Sequence, residues 1–327
     1  MSDVLKIKKP VEEGINEFLK FLLESDKVKG IFTLKKTEKT GSFSYSLITD
    51  VEAIKNAAPL SPLMPANAGK ILSDFSLKEV VKEPVAAVVR PCELRAFIEL
   101  VKRTQCSMEN IYLISSTCGG VFPLNSVNNG KLNNLLPKYW EAVKKSEILP
   151  SLRPTCNACE HFIPSLADIT IAVTGNKNLD QECCLHLNTS KGEELASGAP
   201  GNETTEKLDD RELSKLKELR QKEREKSFAG INGKNLGLTG MVKTFAACLS
   251  CHGCRQVCPI CFCTLCDFDS KTHEDKPSHY ESELKRKGGC RVPSGTLYFH
   301  TGRMIHMAVS CVNCGMCSDV CPVDIPV

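Results

Sequence analysis

Val85-Ala86-Ala87-Val88-Val89-Arg90-Pro91-Cys92-Glu93-Leu94-Arg95-Ala96-Phe97-Ile98-Glu99-Leu100-Val101 is the stretch on which the fold turns. Five consecutive apolar residues suit a strand buried on both faces, Arg90-Pro91 breaks the run, and Glu93 to Val101 returns apolar residues at helical spacing. A second apolar strand, Ile111-Tyr112-Leu113-Ile114, follows the helix and finishes just before Cys118-Gly119-Gly120. Two buried strands joined by a helix predict a parallel sheet in an α/β domain. Ligands of such sheets gather beyond the carboxyl ends of the strands. Cys92 and Cys118 both fall at that edge, and Cys156 and Cys159 form a C-x2-C pair just ahead of a further strand, Ile169 to Val173.

Upstream, Val11, Ile15, Phe18, Leu19 and Leu22 predict an amphipathic helix that breaks at Gly30 into the strand Ile31 to Leu34. Phe43, Tyr45 and Leu47 alternate as in a half-buried strand, and Pro59, Pro62 and Pro65 mark a turn. Downstream, Gly192 to Thr205 is polar, and Glu206 to Lys226 is dense in both signs of charge, which predicts a linker and a solvated helix. The division expected is an α/β domain over 1–190, a charged helical linker over 191–240 and a second domain over 241–327. At roughly 150 residues per domain, a chain of 327 residues has room for two such units.

The abnormal figure is nineteen cysteines, twelve of them after Gly240. Disulfide density of that kind belongs to short secreted chains. Here Met1-Ser2-Asp3 runs into Lys6, Lys8 and Lys9 without an apolar stretch, and no segment reaches the roughly 18–20 apolar residues of a membrane span. A reducing, cytoplasmic setting and a metal role for the thiols are therefore expected. The formal charge of only +3 argues against a protein that coats nucleic acid.

Cys248, Cys251, Cys254 and Cys258-Pro259 spell C-x2-C-x2-C-x3-C-P, and Cys311, Cys314, Cys317 and Cys321-Pro322 spell it again. In this run three thiolates wrap one 4Fe-4S cubane while the fourth ligates the other cluster. Crossed sets follow: Cys248, Cys251, Cys254 and Cys321 for one cluster, and Cys311, Cys314, Cys317 and Cys258 for the other. Zinc also uses C-x2-C pairs, but two pairs suffice for it and give no reason for three thiols in step closed by C-P. Thr296 to Ala308 predicts a helix feeding the second run. A mainly helical, ferredoxin-type dicluster domain is expected, like the modules of respiratory and heterodisulfide-reductase subunits. His300 and His306 on that helix are candidate ligands or packed residues. Cys261, Cys263, Cys266 and Cys290 form a further group for zinc or a fourth cluster, with His273 and His279 as spare ligands. Cys106, Cys183 and Cys184 read as structural.

Arg90-Pro91-Cys92-Glu93-Leu94-Arg95, the strand ending at Cys118, and Thr155-Cys156-Asn157-Ala158-Cys159-Glu160 with Leu166 to Ile171 resemble the beta subunits of coenzyme F-420-reducing hydrogenase and of related formate dehydrogenases. The resemblance spans most of residues 11–226, and the formate-dehydrogenase branch extends it through the dicluster tail. It implies one 4Fe-4S cluster on Cys92, Cys118, Cys156 and Cys159, the four thiols that the strand ends also bring together. It further implies FAD beside that cluster. The family's Gly-rich stretch after the Ala-Asp-Ile strand is represented here by Val173 to Asp180, with Gly175 alone. Met64 to Lys70, where Gly69 and Lys70 open a helix, is the other candidate for a phosphate-facing loop; an ordinary Pro-rich turn explains the same residues.

The function expected is that of an electron-transfer subunit working with a catalytic oxidoreductase subunit and other electron-transfer subunits. Its rivals are a flavoenzyme subunit acting on coenzyme F-420 or NAD(P), and a zinc-stapled assembly protein without redox function.

Overall fold

Four apolar residues at 85–88 can all be buried only at the centre of a sheet covered on both faces. The computed structural model, which describes residues 4–37, 42–127, 131–205, 209–231, 237–270, 276–288, 295–325 and 327, places them there. Its strands are β1 (Val4–Ile7), β2 (Gly30–Lys36), β3 (Phe43–Ile48), β4 (Val85–Val88), β5 (Ile111–Ser116), β6 (Ile169–Ile171), β7 (Cys183–Leu187) and β8 (Asn202–Thr204). They form one sheet in the order β3-β2-β4-β5-β6-β7-β1-β8. β2, β4, β5 and β6 run parallel, with Ala86 opposite Ile31 and Tyr112, and Ile114 opposite Ile169. The flanks are antiparallel: β3 on one side, and β7, β1 and β8 on the other. The expected mostly parallel sheet is thus a mixed one with a parallel centre.

The chain divides into two units, Met1–Arg224 with Val312–Cys314, and Glu225–Cys311 with Gly315–Val327. In the first, α1 (Val11–Glu24) buries Ile15, Phe18, Leu19 and Leu22, as its spacing predicts. It is followed by α2 (Ala68–Phe75), α3 (Pro91–Lys102), α4 (Leu132–Lys144), α5 (Pro154–Asn157) and α6 (Ser190–Ala196). α7 (Asp210–Ile231) corrects the expected linker. Most of its surface is charged, yet Leu213, Leu216 and Arg220 are buried, and Leu213 and Leu216 pack with Phe162. Spacing of three and four residues puts these three on one face of the helix. The first unit therefore extends to residue 224 rather than 190.

In the second unit the described residues form α8 (Gly237–Phe245), α9 (Gly253–Gln256), α10 (Pro277–Lys287), α11 (Thr296–Met307) and α12 (Met316–Asp319), which makes it helical, with α11 where the sequence predicts a helix. α9 packs against α12, and α8 against α11. Among the described residues no helix is long and apolar enough to cross a membrane.

The two glycines proposed for phosphates have packing roles. A Cβ on Gly69 would stand 2.2 Å from the carbonyl oxygen of Glu93 and 2.8 Å from the amide nitrogen of Phe97, so α2 and α3 meet backbone to backbone. Gly175 has φ +88° and lies against Leu213 of α7, where a Cβ would come within 3.0 Å. Because backbone cannot give way as a flexible side chain does, Gly69→Ala is expected to destabilise the protein by about 1–3 kcal/mol in chemical denaturation. An unchanged midpoint would show that α2 can move off α3 at no cost.

Candidate metal centres

The first site begins at the turn between β4 and α3. Pro91 occupies the first helical position, where its missing N–H costs nothing. Glu93 reaches back two positions past Cys92, and its Oε2 accepts from the amide of Arg90 at 2.8 Å. Glu93 is fully buried, and its Oε1 accepts from the amide of Ala68 at 3.2 Å and from the Tyr45 hydroxyl. Arg90, also buried, lies 3.6 Å from Glu93 Oε2 and donates to the Tyr45 hydroxyl at 3.1 Å and to the Ser61 carbonyl. Cys92 is thus held from both sides, by its helix and by a neutralised ion pair.

β5 ends two residues before Cys118. Its side is fixed by Thr117, whose hydroxyl donates to the Thr174 carbonyl and accepts from the Val173 amide, both at 2.9 Å. The Cys118 amide donates to the Phe162 carbonyl at 2.8 Å, and its sulfur accepts from the Gly120 amide at 3.4 Å. The short helix α5 brings in the third and fourth thiols. The Arg153 amide anchors it on the Val121 carbonyl at 2.9 Å, and the amide of Cys159 donates to the carbonyl of Cys156 at 3.2 Å. Cys92, Cys118, Cys156 and Cys159 line one recess, together with a fifth thiol, Cys314, and with Arg90, Thr155, Phe162 and Arg220.

Burial pushes the thiols of Cys92 and Cys118 up and that of Cys156 to about 11, with Arg90 and Arg220 pulling Cys118 back. A metal displaces the proton from such a thiol and supplies the charge its thiolate lacks. Two buried donors on the wall, Arg220 Nε and Thr155 Oγ1, have no hydrogen-bond partner among the described residues. Cluster sulfurs accept hydrogen bonds, so the donor set fits an iron–sulfur cluster. Among the described residues no three of His, Cys, Asp and Glu are close enough to share a single ion.

A dinucleotide does not fit where the glycines suggested it. At the start of α2 the Ala68 amide is bonded to Glu93, and the Gly69 amide to the Asn67 side chain at 3.0 Å. Lys70 donates its amide to the Asn67 carbonyl at 3.1 Å, and Gly175 lies against α7. Phosphate binding at a helix start needs free amides.

In the second unit Cys248, Cys251, Cys254 and Cys321 line one recess with His252, Phe299 and His300. These are the four thiols of one crossed set. The backbone repeats between the two runs: Ser250 and His252 have φ of 53° and 54°, and Asn313 and Gly315 have 54° and 74°. These left-handed residues turn the chain about the thiols, and the Ser250 amide donates to the Cys248 sulfur at 3.4 Å. His300, named as a candidate ligand, is buried and stacked on Phe245 with ring centres 3.8 Å apart. Its Nε2 lies 3.3 Å from the Cys248 sulfur, and burial pushes the imidazole down to about 4. His306 instead lies beside Phe268.

The other crossed set is partly gathered. Burial pushes the Cys317 thiol up, Arg303 pulls it back and Cys258 and Cys311 add to the rise, while Cys314 lines the recess of Cys92. The sulfurs of Cys258 and Cys261 lie 3.7 and 3.9 Å from that of Met307, and a hydrogen bond from Cys261 holds Cys258 below the usual thiol range. Cys261 therefore joins the neighbourhood of the second run. Cys263 is exposed and Cys266 half-buried; His279 lies beside Tyr280. Cys290 and His273 lie outside the described residues. Cys183 and Cys184 are buried in β7, and Cys106 packs at the edge of the α2–α3 core. Arg220, Thr155 and the Arg90–Glu93 pair escaped the sequence reading. The spacing of Leu213, Leu216 and Arg220 is the signal that could have found the first.

Residues 82–211 match the family described as the C terminus of the coenzyme F420 hydrogenase/dehydrogenase beta subunit, which bears out the resemblance read from the sequence. The segment contains Cys92, Cys118, Cys156 and Cys159. The F420-dependent formate dehydrogenase subunit beta of Methanocaldococcus jannaschii is 25% identical over 351 residues, covering 96% of this chain and 86% of that protein. The F420-dependent formate dehydrogenase 1 subunit beta of Methanococcus maripaludis is 26% identical over 336 residues, covering 91% and 80%. A chain of the F420-reducing [NiFe] hydrogenase complex from Methanosarcina barkeri shares the fold, with a TM-score of 0.51 and 17% identity over 73% of this chain and 94% of that one.

The buried pair beside Cys92 has a measurable role. Glu93→Gln leaves the Arg90 charge uncompensated in the interior and is expected to cost about 3–5 kcal/mol of stability, read by chemical denaturation of the metal-free chain. A loss below about 1 kcal/mol, the level of an exposed pair, would mean that Arg90 finds another counter-charge.

Proposed function

We propose that this chain, whose residues 82–211 carry the F420 hydrogenase/dehydrogenase beta-subunit module, is an electron-transfer subunit of an oxidoreductase complex. The observation that carries this reading is the convergence of Cys92, Cys118, Cys156 and Cys159 from three separate segments on one recess. A 4Fe-4S cluster bound there supplies storage and release of single electrons. The protein holds it through those four thiols, keeps water away with Phe162, and offsets negative charge with Arg220. Cys248, Cys251, Cys254 and Cys321 hold a second cluster, and Cys258, Cys311, Cys314 and Cys317 a third. Around the second, the amide of Ser250 donates to the Cys248 sulfur, and that of Ile325 to Cys321 at 3.3 Å.

The complex includes a catalytic subunit, since among the described residues neither recess has paired carboxylates and the thiols there are taken as cluster ligands. We place it in the cytoplasm, where thiols stay reduced. The F420 dependence of the related formate dehydrogenases favours a second reading, in which the chain itself exchanges electrons with that coenzyme through FAD. Because Gly69, Lys70 and Gly175 do not offer a phosphate site, no step through flavin is assigned.

Anaerobically purified protein is expected to contain about twelve irons and twelve acid-labile sulfides per chain and to release no flavin on denaturation. Cys92→Ser should remove one reduced-cluster EPR signal and leave the others. Zinc without iron would overturn the electron-transfer reading, and released flavin would favour the second one. Loss of every signal in Cys92→Ser would overturn the assignment of thiols to separate clusters.

A further inference from the structure

We propose that Arg220 of α7 clamps the Cys118 loop and raises the reduction potential of the cluster held by Cys92, Cys118, Cys156 and Cys159; the inference rests on the reading of those thiols as cluster ligands. α7 lies almost wholly beyond the residues matched to the family, which end at 211. Nothing about the helix as a charged surface element requires an arginine to be buried. Arg220 is nevertheless only 3% exposed, one turn beyond the buried Leu216.

Its Nη2 donates to two consecutive carbonyls, those of Cys118 and Gly119, each at 3.1 Å. Its guanidinium carbon stands 4.6 Å from the centre of the Phe162 ring. Phe162 in turn accepts the Cys118 amide through its own carbonyl. One planar cation thus grips both carbonyls of the ligand loop and lies on the residue that holds the amide of the same ligand. A lysine has the charge but not the flat face that lies on Phe162. One turn further along, Arg224 pairs with Glu160, the neighbour of Cys159. α7 therefore braces two of the three segments that supply thiols.

The electrostatic part follows from position. Arg220 lines the recess, and its Nε is a buried donor without a hydrogen-bond partner among the described residues. Reduction adds one electron to the cluster, and no bond or proton need move with it. A fixed cation in the wall lowers the energy of that added charge more than water does, because the surroundings screen it poorly. Glu93 is balanced by its own contacts with Arg90, Tyr45 and Ala68, so it does not cancel Arg220.

The test is an EPR-monitored redox titration of the full chain, anaerobically loaded, on the signal that disappears in Cys92→Ser. Arg220→Gln is expected to shift the reduction equilibrium about tenfold toward the oxidised state, which for a one-electron couple is about 59 mV. Arg220→Lys, which keeps the charge, should stay within about threefold of the wild type. An unshifted Arg220→Gln with unchanged iron and sulfide would overturn the proposal, as would a lysine variant that shifts as far as the glutamine one. If Arg220→Gln loses the cluster, the lysine variant decides. A retained cluster at the wild-type potential supports the proposal, and loss in both makes Arg220 a structural brace only and overturns it. Failure of the underlying reading shows separately, as a Cys92→Ser protein that keeps every signal.

Discussion

The first unit depends on one buried carboxylate. Glu93 accepts from the Arg90 amide in the turn after β4, the amide that starts α2 and the hydroxyl of a β3 tyrosine. It thereby ties three elements far apart in sequence to a single point. Taking a carboxylate out of water is costly unless its lone pairs are filled and an opposite charge is near. Arg90 supplies that charge from three residues away. With every partner fixed, the arrangement has one geometry. Cys92, one residue from Glu93 and two from Arg90, has no freedom to leave the sheet edge.

What could be read from the sequence was whatever relied on contiguous pattern. The apolar runs at 85–89 and 111–114, the helix from Val11 and the helix before Cys311 each announce themselves by period, and each stands where expected. The strand ends and the C-x2-C pair brought four thiols to one edge by topology alone. The antiparallel flank was hidden because Lys6 interrupts β1, and His186 and two cysteines occupy β7, although all five residues of that strand are buried. Lys6 meets Glu182 at 3.3 Å, which lets a charged residue sit in a strand otherwise buried.

Glycine and charge misled for related reasons. A glycine at a helix start suggests a phosphate, but Gly69 is small because another helix backbone lies against it. α7 reads as solvated because most of its residues are charged, and the average conceals a face of three. In both cases the deciding neighbour is distant in sequence, so local pattern could not contain it. The group after Cys258 divides in the same way: Cys261 turns toward Cys258, while Cys263 faces outward.

The recess of Cys248, Cys251 and Cys254 is closed by Cys321, which most of the second unit separates from them in sequence. During synthesis the first three thiols leave the ribosome long before the fourth exists. For that interval the nascent chain carries an unfinished set, held in loops whose left-handed residues have little to favour them until their partners arrive. Three bunched thiols in that state can take up a wrong metal or oxidise. On the proposed assignment of these four thiols to one cluster, the order of the motifs along the chain sets iron delivery after translation of Cys321 rather than during it.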